Sequence, residues 1–391
     1  MKTWKVILVT TLLIGLLMAC SEQGLDKEGS GSPTSSGDSI SEKVSGEIED
    51  ESGVVREAVP EILSYWPTEA WQTTTPESVG MSSTLLRNMF LHIEEENIPM
   101  EGMLIIKDGY IVSEKYGGDF DEETPHPIYS VTKSITSALV GVAVQQGAIE
   151  SVESKALSYL TSENITNLDQ WKRNLTIQDF LTMKSGLDFP EQTEKGFYQS
   201  DTWKEFMEGT DPASFIMSRP LSEDPGRWNY STGDARVVSK ILQEATGTKL
   251  SEYAEQNLFS HLGISNVEWP TDRSGTSFGG TGVKMKPRDI AKIGYLYLEE
   301  GKWEEKQVLP EGWVQKSIQP YGNTNGNFDG GHYGYFFWLK SINGYETYRG
   351  MGLYGQYLVV VPELDLIVVQ TSSGMDVDPL LEEYVIPSIE S

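Results

Sequence analysis

Cysteine is almost absent from this chain. Cys20 is the only one among 391 residues, so no intramolecular disulfide can staple the fold. Histidine is nearly as scarce, and His92, His126, His261 and His332 lie scattered, without the short spacings that a metal site needs. Basic residues are outnumbered, with 30 Lys and Arg against 58 Asp and Glu and a formal net charge of -28. That surplus repels nucleic-acid phosphates and anionic lipid headgroups, which argues against both as partners. Past the N-terminus no apolar run is long enough to suggest a membrane-spanning helix. Residues 21–59 contain no aromatic side chain and are rich in Ser, Gly, Glu and Asp. Such a stretch cannot bury enough surface to offset its ordering entropy, so residues 21–64 read as a disordered acidic tether.

The N-terminus carries a different signal. Lys2 and Lys5 precede an apolar run over residues 6–18, which ends in Leu17-Met18-Ala19-Cys20. A basic start, a short apolar core and a small residue before the cut describe a secretion signal over residues 1–20. The ending resembles the lipobox of bacterial lipoproteins. The resemblance implies lipidation of Cys20 and an extracytoplasmic protein tied to the bacterial cell membrane through its lipid.

Residues 65–391 read as one catalytic body. Leu85, Met89, His92 and Ile93 recur at helical spacing within residues 81–96. Lys107-Asp108-Gly109 separates two apolar runs, which predicts a β-hairpin. Residues 130–146 are apolar on nearly all sides, which predicts a buried helix. Residues 150–285 read as mainly helical and broken by turns, and residues 287–300 as a helix opened by proline. Strands are expected over residues 333–339, 345–348, 357–361 and 366–369. Helices and strands are segregated, so the expected class is α+β. The expected architecture is a central antiparallel sheet built from both chain ends, flanked by helices, with a mainly helical inserted lobe at about 150–285.

Ser130 and Lys133 stand three residues apart at the start of the buried helix, so their side chains share a face. A serine hydroxyl becomes nucleophilic when a neighbour takes its proton, and a desolvated lysine can be that neighbour. The spacing alone does not decide between a nucleophile and an ordinary N-cap, because one such match is expected by chance in a chain this long. Three other stretches imitate catalytic motifs. Gly275-Thr276-Ser277-Phe278-Gly279 has the G-x-S-x-G pattern but lacks the strand and helix that pattern requires. Tyr321-Gly322-Asn323 is a literal Y-x-N in a Gly- and Asn-rich loop, and Lys184-Ser185-Gly186 imitates a Lys-Thr-Gly motif.

Residues 129–134 resemble the nucleophile motif of the serine β-lactamase and penicillin-binding-protein superfamily. The closer likeness is to its class C-like branch, with family VIII esterases and 6-aminohexanoate-dimer hydrolases. Residues 175–187, residues 225–232 around Tyr230, residues 279–283 and residues 352–356 resemble later motifs of that branch, in order. The resemblance implies a serine hydrolase without metal or cofactor. It implies that Ser130 is the nucleophile and that Lys133 and Tyr230 share the proton handling. Tyr230, as a phenolate stabilised by Lys133, would be the general base, although which of the two acts first stays open. A backbone N–H at Gly352 or Leu353 would join that of Ser130 in an oxyanion hole. Thr232 stands where class C enzymes carry asparagine, and the Lys-Thr-Gly motif is missing. Arg349 is either a substitute for its lysine or a surface arginine. The expected substrate is therefore a small-molecule or peptide ester or amide. A β-lactamase or D,D-peptidase and a non-catalytic ligand-binding lipoprotein are the alternatives.

Overall fold

The hairpin forms as Lys107-Asp108-Gly109 predicts. Asp108 (φ 52) and Gly109 (φ 79) both adopt the left-handed conformation that a two-residue turn needs. The turn joins strands Met100–Lys107 and Tyr110–Tyr116. The computed structural model describes residues 65–161, 164–193, 196–324 and 331–390. The secretion signal, Cys20 and the acidic tether lie outside them.

Strand Met100–Lys107 pairs on its other edge with Leu366–Ser372, so strands from the two ends of the folded body lie side by side within the sheet. From there the sheet continues antiparallel through Gln356–Val361, Tyr345–Gly352 and Trp338–Ile342 to His332–Tyr333 and Gly322–Asn323. Alternation along the central strands sends side chains to two separate cores. Leu104, Ile106, Leu358, Val360, Ile367 and Val369 face one core, which includes helices Thr132–Gln145 and Pro287–Leu298. Met103, Ile105, Val359, Val361 and Val368 face the other, against Leu86, Met89, Phe90 and Ile93 of helix Ser83–Glu95. Each such side chain contributes roughly 1.5–3 kcal/mol by leaving water.

Between the strands from the two chain ends lies the helical lobe. Its helices include Ile177–Leu181, Pro212–Met217 and Thr232–Thr246. The α+β class and the inserted lobe match the expectation from sequence. One strand does not. The apolar run 333–339 splits into His332–Tyr333 and Trp338–Ile342, with Phe336 at φ 59 between them. Backbone donors in the gap bond elsewhere than to a neighbouring strand: Tyr335 N to Ser317 O (2.8 Å), at the end of helix Trp313–Ser317, and Phe336 N to Leu181 O (3.0 Å) of the lobe. Burial on every side gave that stretch the apolar look of a strand. The strand expected at 345–348 is longer than predicted and runs on to Gly352.

Candidate active site

Ser130 sits in a single 3₁₀ turn, Tyr129–Val131, that feeds into helix Thr132–Gln145. The preceding residue is anchored, because Ile128 N donates to Val283 O at 2.9 Å. Tyr129 follows at φ 44, a left-handed conformation costly for an aromatic residue. Its ring packs edge-on against Tyr354, with centroids 5.5 Å apart. Strand Tyr345–Gly352 runs close beside this turn. A Cβ on Gly352 would lie 2.4 Å from Ile128 O, so only glycine fits there. Gly352 therefore stands next to the nucleophile turn, and Leu353 follows it in the chain.

Lys133 is fully buried, and its three ammonium donors are all engaged. Nζ donates to Ser130 Oγ (3.0 Å), Thr232 Oγ1 (3.0 Å) and Gly280 O (2.7 Å). Burial pulls its pKa down to about 8, and the charge on Glu191 partly opposes that shift. Tyr230 lies across from it, with Nζ 4.8 Å from the ring centroid. The ring stacks on Trp338 and meets Tyr333 edge-on. Burial above all, then the neighbouring Tyr333 and Glu191, pushes the Tyr230 hydroxyl well above its ordinary range, although a hydrogen bond with Ser130 opposes them. The hydroxyl thus stays protonated. That departs from the phenolate expected for Tyr230 and leaves Lys133 as the group better able to lose its proton. The structure brings Ser130, Lys133 and Tyr230 together.

Two neighbours escaped the sequence reading. Tyr198, at φ 59, hydrogen-bonds Ser130 from the opposite lobe segment, and burial raises its pKa as well. Glu191 is buried and receives two hydrogen bonds from one residue: Thr232 N donates to Oε1 and Thr232 Oγ1 donates to Oε2 at 2.9 Å. Both lie in a stretch with no helical or strand period and no fixed distance from the nucleophile motif. Only the departure at position 232 hinted that a partner was needed there.

The decoys find structural roles. Ser277 is fully buried and its Oγ accepts Ser251 N at 3.2 Å. Ser185 Oγ donates to Asp234 Oδ1 at 2.8 Å. The Tyr321 hydroxyl meets that of Tyr335 at 3.1 Å, with the rings stacked. Arg349 does not replace the missing motif lysine. Its side chain leaves the sheet on the face away from Ser130, where it pairs with Asp378 at 2.6 Å and bonds Thr347. Strand alternation explains this, since the next residue, Gly350, faces Ser134 of the nucleophile helix. No group of His, Cys, Asp and Glu able to hold a metal occurs among the described residues.

The sequence pattern of the Beta-lactamase family matches residues 89–386, a span that holds all of these groups. The chain belongs to the beta-lactamase family. A curated relative, 6-aminohexanoate-dimer hydrolase of Paenarthrobacter ureafaciens, is 24% identical over 295 residues, 71% of this chain and 74% of its own. Among solved structures, EstCE1, a hydrolase with promiscuous acyltransferase activity, superposes with a TM-score of 0.64 at 14% identity, over 81% of this chain and 99% of its own. The octameric penicillin-binding protein homologue of Pyrococcus abyssi gives 0.61 at 20% identity, over 78% and 76%. At these identities the superpositions speak for the fold. Together with the hydrolase relative and the family match, they make this chain a serine hydrolase of the beta-lactamase fold.

Proposed function

We propose that this protein is a lipid-anchored, extracytoplasmic hydrolase that cleaves an ester or amide through an acyl-enzyme on Ser130. The observation that carries the reading is the buried Lys133 Nζ, 3.0 Å from Ser130 Oγ. With Lys133 in its free-amine form, the Ser130 proton passes to Nζ as Oγ bonds to the substrate carbonyl carbon. The carbonyl oxygen takes the negative charge and is stabilised by the N–H of Ser130 and one at Gly352 or Leu353. Collapse breaks the bond to the leaving group, which receives a proton from the Lys133 ammonium, directly or through the Tyr230 hydroxyl. Water then attacks the acyl-enzyme, gives one proton to Lys133 and releases the acid. The lysine returns that proton to Ser130.

The absent Lys-Thr-Gly lysine and the inward-turned Arg349 favour substrates without a carboxylate beside the scissile bond. Short p-nitrophenyl esters should be turned over much faster than nitrocefin. The reverse ranking would favour the β-lactamase or D,D-peptidase reading. The anchor rests on Lys2, Lys5, the apolar run and Cys20. Cys20→Ser should move the protein from the membrane to the soluble fraction, and an unchanged distribution would remove the lipid from the proposal.

A further inference from the structure

Thr232 links two groups of opposite charge. It accepts a hydrogen bond from Lys133 Nζ at 3.0 Å and donates its own hydroxyl proton to Glu191 Oε2 at 2.9 Å. Its backbone N–H donates to the other oxygen of the same carboxylate. Two donors on two oxygens fit an ionised carboxylate, which only accepts. Glu191 is thus held rigidly at the start of helix Thr232–Thr246, one residue away from the lysine that touches Ser130.

We propose that Glu191 is a positioning residue for acyl transfer: through the Thr232 hydroxyl its carboxylate orients Lys133 against Ser130 and governs when that lysine can accept a proton. The proposal rests on Ser130 acting as the nucleophile. The other ionisable groups facing this pair are Tyr198, Tyr230, Tyr333 and Asp234. Burial raises the pKa of each of them. The tyrosines are therefore neutral near pH 7, and Asp234, brought to about 8, is largely so. Burial raises the pKa of Glu191 too, but the Lys133 charge and the two hydrogen bonds from Thr232 oppose that rise, which leaves Glu191 as the main counter-charge for Lys133. Its charge favours the ammonium, so removing it makes the lysine lose its proton at lower pH. Losing the Thr232 hydroxyl acts in the same direction, because the ammonium loses an acceptor.

The test is the rate of Ser130 labelling by a fluorophosphonate, read by intact mass on the full chain from pH 5 to 10. Wild-type labelling should rise with pH through about 8 as Lys133 becomes a free amine. Glu191→Gln should shift that rise to lower pH by about half a unit or more and lower the plateau by roughly tenfold, as expected when a positioning contact is lost. Thr232→Val should shift it the same way, and it decides the matter if Glu191→Gln does not fold. Slower labelling with an unmoved pH profile in both variants would make Glu191 merely structural and overturn the proposal. No Ser130 adduct in the wild type would overturn the hydrolase mechanism, and this role with it.

Discussion

Two places in this protein bury a serine beside a cation and a carboxylate, and only one is arranged for chemistry. At the first, Lys133 touches Ser130 and is tied through Thr232 to Glu191. At the second, within the G-x-S-x-G stretch, Arg236 is ion-paired with Asp272 and donates to the carbonyl of Ser277 at 2.6 Å. Burial lowers the pKa of both cations, that of Arg236 to about 9 and that of Lys133 to about 8. The difference lies in what each cation does with its serine. Arg236 binds the backbone oxygen of Ser277, whose hydroxyl is taken by Ser251 N. Lys133 binds the hydroxyl itself, and as an amine it can take the hydroxyl's proton. A guanidinium is built to hold a shape, whereas a desolvated ammonium can change its charge. A serine motif thus becomes a site only where its cation can deprotonate and reaches Oγ.

Swapping the two serines tests that contrast most sharply. Ser130→Ala should lower turnover of a p-nitrophenyl ester by on the order of 10⁴-fold or more, as loss of a nucleophile does. Ser277→Ala should keep turnover within about twofold and cost about 1 kcal/mol of stability for the lost acceptor of Ser251 N. Steady-state kinetics with thermal melts would check both. Loss of activity in the Ser277 variant with the fold intact would reverse the assignment.

The second test falls on the carboxylates. Asp272→Ala should cost Arg236 its ion-pair partner, leaving Asp211 as the remaining counter-charge, and destabilise the fold by about 1.5–3 kcal/mol. The folded fraction should keep its kcat/KM and pH profile, because nothing in that pair contacts Ser130. Glu191→Gln is the mirror case, with its expected signature in the pH profile. Urea unfolding of the Asp272 variant beside its kinetics would separate the two. A shifted pH profile there would mean that the two clusters communicate.

How much of this was legible beforehand follows from which interactions are local. The hairpin at Asp108-Gly109, the buried helix after Ser130 and the pairing of the two chain ends announce themselves through period and turn chemistry, which neighbouring residues carry. Ser130, Lys133 and Tyr230 were legible through ordered motifs. Glu191 was not, because a loop residue that meets Thr232 across the lobe leaves no periodic trace. Nor was the direction of Arg349, since which face of a strand is solvent, core or site depends on the register of the whole sheet. The break at residues 334–337 was hidden for a related reason: Leu181, Ser317 and Phe337, none of them in a strand, supply its hydrogen-bond partners.

Asp234 offers the smallest and most discriminating test, because it solves burial in a third way. It lies on the same helix as Thr232 and Arg236, and its Oδ1 accepts the Ser185 hydroxyl at 2.8 Å. No cation is among the groups that shift it, and burial lifts its pKa from 3.8 to about 8, outweighing the hydrogen bonds from Ser185 and Ser231. The folded protein therefore keeps a proton that the unfolded chain releases above about pH 4. Between those values the native state binds more protons than the unfolded one, so stability falls as pH rises from about 4 towards 8. Asparagine at 234 is neutral throughout and removes this dependence. Thermal or urea unfolding should show wild-type stability dropping between pH 5 and 8 by about 1–3 kcal/mol more than that of Asp234→Asn. Parallel curves would mean that the carboxylate is ionised when folded. It would then be a second negative charge facing Glu191, and Glu191 would not be the main charge acting on Lys133.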